Sequence, residues 1–286
     1  LAASLVSVSA HAGEMTVAGS ASVGVKNNAG TAGGKSITMG NQLTFSGGGE
    51  LDNGLNVALS FVLDHADNVA SGFDSHSITI SSDAMGSIVI AGDGQGNAQS
   101  ALDTTAAGDI WDNGFKSGAA ETTYTAMAGS DASTSSVNYT LPTLMDDLSV
   151  KASYSAGGTS VKSTTAYGIT YTGVEGLSVS YGAGEAGSTT ATASGDVTTM
   201  KGSYAIGSFT AAYSNTESDK ETGGTDEEMT SFKLSYTVSD DLSISYGEET
   251  HETAGAAIDE EFEVLSASYT TGGMTITAAQ YDASNL

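Results

Sequence analysis

Carboxylates are the chemically active side chain that this sequence supplies in quantity: 34 Asp and Glu stand against 8 Lys and no Arg, a net charge of −26. Glu217, Asp219, Glu221, Asp226, Glu227 and Glu228 fall in one polar stretch, and Glu248, Glu249, Glu252, Asp259, Glu260 and Glu261 in the next. Such clusters offer the oxygen ligands that Ca²⁺ or Mg²⁺ prefers, with Asp226, Glu227 and Glu228 as candidate Ca²⁺ ligands. None has EF-hand spacing, which favours a solvated acidic face, and no other cofactor is implied. The absence of Cys excludes a thiolate metal site, a Cys nucleophile and a disulfide scaffold. His65, His76 and His251 show no metal-ligand spacing. No nucleophile, base and orienting group can be placed together, so no catalytic site and no enzyme is expected. Gly92-Asp93-Gly94-Gln95-Gly96 lacks the spacing and βαβ context of a dinucleotide loop and reads as flexible loop. Asn138-Tyr139-Thr140 matches a glycosylation sequon but falls in a predicted strand, and Trp111 reads as a packing anchor.

The bulk composition narrows the class. The eight Lys are scattered, whereas nucleic-acid binding needs clustered basic residues. At 39% hydrophobic the chain is no disordered acidic tail, and no run approaches the roughly 20 apolar residues of a membrane-crossing helix. Leu1 to Ala12 (LAASLVSVSAHA) reads as the end of a secretory signal peptide closing on a small-x-small cleavage site, with Gly13 starting the mature chain. Without a Met or a basic leader, the sequence is expected to be truncated upstream.

The elements that carry these residues are strands. Leu242, Ile244 and Tyr246 alternate with Ser243, Ser245 and Gly247, and Phe232, Leu234 and Tyr236 with Lys233 and Ser235. Tyr154, Tyr171, Tyr181, Tyr204, Tyr213, Tyr236, Tyr246, Tyr269 and Tyr281 are separated by alternating short and long gaps, the signature of a repeated antiparallel hairpin. Tight turns such as Val174-Glu175-Gly176 and Ser239-Asp240-Asp241 occupy the short gaps, and polar loops occupy the long ones. Short turns at one end and long loops at the other define a transmembrane antiparallel β-barrel, with Tyr at the interfacial girdles. An exported acidic β-rich adhesin or surface-layer protein is the alternative; it would turn its apolar faces to a dry core.

Extending the pattern places fifteen strands near 15–25, 37–49, 54–63, 75–82, 86–91, 134–142, 147–156, 163–173, 176–183, 196–205, 208–215, 229–238, 241–248, 262–271 and 273–282. Single-chain bacterial barrels have an even number, so sixteen are expected, with the last missing from the 13–286 barrel domain. One connection, Gly92 to Ser133, is far longer than the rest.

With that count, the loop alternation, the signal-peptide end and the third loop opened by Gly86 to Asn97 (GSIVIAGDGQGN), the chain resembles the general porins of Gram-negative bacteria, the alphaproteobacterial ones in particular. The resemblance covers nearly the whole chain. It implies an outer-membrane homotrimer, in contact with lipid, that passes small hydrophilic solutes by passive diffusion. It also implies that 92–133 folds into the barrel as a constriction. That loop carries Asp93, Asp103, Asp109, Asp112, Glu121 and Asp131 with Lys116, and parity turns Lys151, Lys201 and Lys233 inward. In the general porins, loop acids face a cluster of Arg and Lys on the early strands. Here the corresponding positions, including Thr38, Gln42, Asn56, Ser60, Ser77 and Thr79, carry no cation. The three inward Lys either replace that cluster in part or are ordinary lumen residues. A wall of one sign concentrates counter-ions, so a preference for cations is expected. All twelve Tyr lie at or after Tyr124, and an apolar wall without Tyr need not meet lipid. Val57, Leu59, Phe61, Ile88 and Ile90 are therefore expected at the trimer interface.

Overall fold

The computed structural model describes residues 15–28, 34–64, 75–93, 96–113, 116–117, 120–121, 135–157, 162–187, 194–221, 223–272 and 274–285. The signal-peptide segment 1–12, His65 and Asp131 lie outside the described residues. In chain order the first strands are β1 (Thr16–Asn28), β2 (Gly34–Glu50), β3 (Asn56–Asp64), β4 (Ser75–Ser82) and β5 (Gly86–Asp93). The long connection that follows carries a 3₁₀ turn (Ile110–Asn113) and a short pair, β6 (Lys116–Ser117) with β7 (Ala120–Glu121). Next come β8 (Ser136–Thr140), β9 (Leu148–Ser155), β10 (Thr164–Val174), β11 (Leu177–Ala186) and β12 (Gly195–Ile206). The last five are β13 (Phe209–Lys220), β14 (Glu227–Ser239), β15 (Leu242–Thr253), β16 (Glu260–Thr271) and β17 (Met274–Ser284).

Apart from β6 and β7, the strands form one 15-stranded sheet in which each strand pairs with its sequence neighbour and β5 passes directly to β8. Every pairing is antiparallel, the arrangement that short reversals can join. Two-residue turns close β10–β11 and β12–β13. Gly176 is required at the first: its φ is +76°, and a Cβ there would lie 2.3 Å from the Ala205 carbonyl oxygen.

Fifteen strands occupy the expected places, but several run further into the loops than alternation suggested. Glu217 and Asp219 belong to β13, Glu227 and Glu228 to β14, Glu248, Glu249 and Glu252 to β15, and Glu260 and Glu261 to β16. The expected twelve- and fourteen-residue acidic loops therefore shrink to 221–226 and 254–259. Backbone pairing continues past the apolar band because ladder hydrogen bonds do not depend on side-chain polarity. This also separates the expected Ca²⁺ ligands, since consecutive residues of a strand point to opposite faces. Glu227 approaches His251 at 3.6 Å and Lys220 at 3.9 Å, while Glu228 accepts a hydrogen bond from Asn215. Asp226 is turned back to the Lys220 amide at 2.8 Å. Among the described residues no group of three His, Asp or Glu side chains could hold a metal ion.

Candidate functional site: a loop laid across one face of the sheet

The two sheet faces differ in kind. One carries Ser, Thr, Gly and Ala and receives the segment from Gly96 to Asn113; the other carries the large apolar side chains. The segment is organised locally before it docks. The Asn97 carboxamide oxygen accepts from the amides of Gln99 and Ser100 at 2.9 and 2.8 Å, which caps a turn. Further on, the Thr105 hydroxyl accepts from the amides of Gly108 and Asp109 at 3.0 and 2.7 Å. In return the Asp109 carboxylate accepts from the Thr105 amide at 2.9 Å.

Successive strands then each supply a seat. The Ala98 amide donates to Ser153 of β9 at 2.7 Å, and the Gln99 side chain to Thr199 of β12 at 2.8 Å. The amides of Ala106 and Ala107 donate to Ser214 of β13 and Ser231 of β14 at 2.8 and 3.0 Å. On β15, Glu249 accepts from the Thr105 hydroxyl and the Trp111 amide. β16 contributes Phe262 and Val264, which pack with Ala107 and Ile110 as a small buried apolar cluster. β10 and β11 supply space instead: a Cβ at Gly168 would stand 2.6 Å from the Ala98 carbonyl oxygen, and one at Gly182 3.1 Å from Leu102. Gly168→Ala must therefore lift the loop off the wall, and we expect a smaller single-channel conductance from it. Gly202→Ala, whose Cβ would have no neighbour nearer than 3.9 Å, should conduct as the wild type does.

Of the expected constriction residues, Asp103, Asp109 and Lys201 are brought together at this seat. Asp103 is largely covered, and burial, with the Asp109 carboxylate beside it, pushes its pKa up to about 6 against the opposing pull of Lys201. The Lys201 ammonium donates to the Thr104 carbonyl, so this inward lysine is bound to the loop. Lys151 and Lys233 share the same face by register, opposite Gly168 and Gly247. Asp112 is exposed on the 3₁₀ turn. Asp93 ends β5, and Glu121 stands opposite Lys116 in the β6–β7 pair. Across β2 to β4 the loop-side register positions, Thr38, Gln42, Asn56, Ser60, Ser77 and Thr79, are neutral. Sequence reasoning did not single out Glu249, Asn97, Gln99, Thr105 or the two glycines. For Glu249 a signal existed, because it keeps phase with Ser243, Ser245 and Gly247.

The opposite face bears Val57, Leu59, Phe61, Ile88 and Ile90 in one half of the sheet. In the other half it bears two diagonal rows of aromatic rings. Tyr154, Tyr167, Tyr181, Tyr213 and Tyr246 make one; Tyr171, Tyr204, Phe209, Tyr236 and Tyr269 lie nearer the short turns. Rings of neighbouring strands approach within 6.3 Å at Tyr167–Tyr181 and 4.7 Å at Phe209–Tyr236. Tyr281 departs from the expected girdle. It pairs with the loop-facing Val264 and so belongs to the loop side, because equal spacing along the chain does not preserve strand parity.

An antiparallel all-β sheet with an apolar ring-bearing outer face, and a long third loop laid on its polar inner face, defines a transmembrane β-barrel channel. The chain belongs to the Gram-negative porin family, which it matches over residues 1–286. It is accordingly an outer-membrane channel of a Gram-negative bacterium and no enzyme. The anion-selective porin of Comamonas acidovorans resembles it with a TM-score of 0.67 and 16% identity, over 94% of this chain and 88% of that one. A loop-deletion mutant of Vibrio cholerae OmpT gives 0.63 and 19%, over 94% of both chains. A further porin gives 0.65 and 17%, over 95% of both. No curated protein matches the chain.

Proposed function

We propose that this porin is a homotrimer that passes ions and small hydrophilic solutes by passive diffusion and prefers cations. The loop chemistry carries the reading: Asp103, Asp109 and Asp112 line the seated segment, while Lys201 is engaged by the loop's own carbonyl. The facing positions of β2 to β4 offer hydroxyls and amides, so Lys151, Lys201 and Lys233 oppose the loop carboxylates from one wall with no cation on the other. One structural relative is an anion-selective porin, so the shared fold leaves the sign of selectivity open and the charges of this chain's own lining carry the reading. In planar bilayers with a salt gradient the reversal potential should have the sign of cation flow; an anionic sign would refute the preference. The effect should fade toward molar salt, where the screening length is about 3 Å.

The trimer contact is assigned to the outer face of β1 to β5. Its described positions there include Val17, Val23, Ile37, Met39, Leu43, Val57, Leu59, Ile78 and Ile90, with no Tyr or carboxylate between them. The corresponding face of β11 to β17 combines the tyrosines with Glu185, Glu217, Glu228, Glu248 and Glu263, a surface suited to lipid and its headgroups.

A further inference from the structure

We propose that Glu249 is the positioning residue that sets the aperture of this channel, by latching the far half of the constriction loop to the wall. The inference rests on the porin reading. Glu249 is 0% exposed although it is a carboxylate on a polar lumen face. One oxygen accepts from the Thr105 hydroxyl and the other from the Trp111 amide at 3.0 Å, with the Ile110 amide also directed at it. Thr105 is the hub of its own turn, since its hydroxyl accepts the amides of Gly108 and Asp109. A single carboxylate therefore holds both ends of the Thr105–Trp111 segment.

The surroundings make that carboxylate decisive. Phe262 at 0% and Ile110 at 1% exposure seal the latch from solvent on one side. Two residues before it on the same strand and face, a Cβ at Gly247 would lie 2.8 Å from the Ala107 Cβ, so the loop already lies as close as the wall allows. Within Thr105–Trp111 the other seats are the neutral hydroxyls of Ser214 and Ser231, each accepting one loop amide, and Lys201 holds only the Thr104 carbonyl just before it. Bonds to a carboxylate are roughly twice as strong as those between neutral groups. Without the Glu249 carboxylate the segment keeps its apolar cluster and its seats on Ser214 and Ser231 at the middle, but loses the bonds that hold its two ends to the wall. Because Glu249 itself is closed to the lumen, its effect reaches the ions only through the loop.

Single-channel recording and amide exchange on the full-length protein refolded in detergent test this together. Glu249→Ala should raise open-channel current noise and change the conductance step, and should speed exchange across Ala106–Trp111 by roughly tenfold or more. Glu249→Gln keeps one of the two acceptor oxygens and loses the other. It should therefore recover most of the conductance, leave the reversal potential at the wild-type value, and still exchange the segment faster than the wild type though slower than Glu249→Ala. Trp111, the only Trp, should become more open to acrylamide in the Ala variant. Wild-type exchange and wild-type noise in Glu249→Ala would overturn the latch. If that variant does not fold, Glu249→Gln decides: faster exchange confined to the segment supports the latch, and an unchanged rate overturns it. A wild-type protein that inserts but carries no current would sink the channel reading instead, while exchange still reads the latch.

Discussion

Replacing Val57 or Leu59 by Lys should release monomers from the assembled protein on native gels. Both side chains lie on the outer face of β3, between Gly49 and Gly47 of β2 and Ile80 and Ile78 of β4. This patch is apolar in every direction. A lysine in the middle of a lipid-facing wall costs about 2–4 kcal/mol. Between subunits the long side chain has no headgroup layer to reach, so an unpaired ammonium is buried in every copy and the contact is lost. Leu234→Lys supplies the control. Leu234 occupies the outer face of β14 opposite Ala211 and Tyr246, among the aromatic rows. It should lower thermal stability by a similar amount and leave the trimer whole. A trimer that survives Val57→Lys and Leu59→Lys would remove β1 to β5 from the interface.

Acidification should weaken the cation preference, in a step centred near pH 6. Asp103 is the origin, its pKa pushed up to about 6 by burial and by Asp109, with Lys201 opposing. Above that value the loop presents an ionised carboxylate to the lumen; below it the charge is gone. A unit charge about 5 Å from a passing ion is worth about 0.8 kcal/mol in water, so with screening the permeability ratio should fall roughly twofold. The sign for stability follows from proton binding. Between the ordinary value of 3.8 and about 6, the folded chain holds a proton that the unfolded chain has released. Stability should therefore fall as pH rises through that window and stay level above it. Asp103→Asn should abolish the selectivity step, and Asp109→Asn should move it to lower pH. A step that persists in Asp103→Asn would assign it elsewhere.

The legible part of this protein is what short-range chemistry dictates. Leu242, Ile244 and Tyr246 against Ser243, Ser245 and Gly247 disclose a strand and its two faces, because successive side chains of a strand must point to opposite sides. The same rule gave all fifteen strands and the inward direction of Lys201. Where the rule was applied by spacing instead of by parity, it failed at Tyr281. Where polarity was read as loop, it failed from Glu217 to Glu261, since carboxylates can stand on a ladder that rises beyond the membrane.

The site itself was legible only as a list of acids on a long third loop. Sequence alone determined that a polar inner face of small residues exists and that a long segment is free to lie on it. It could not say where that segment lies. Thr105 and Glu249 are 144 residues apart, and Gln99 and Thr199 are separated by 100. Such partners meet only after eight strands, β9 to β16, have been set side by side at their registers. No local period encodes that distance. The tertiary structure therefore decided which hydroxyl receives which amide, why Gly168 and Gly182 have no side chain, and why one glutamate among many carboxylates is closed to solvent.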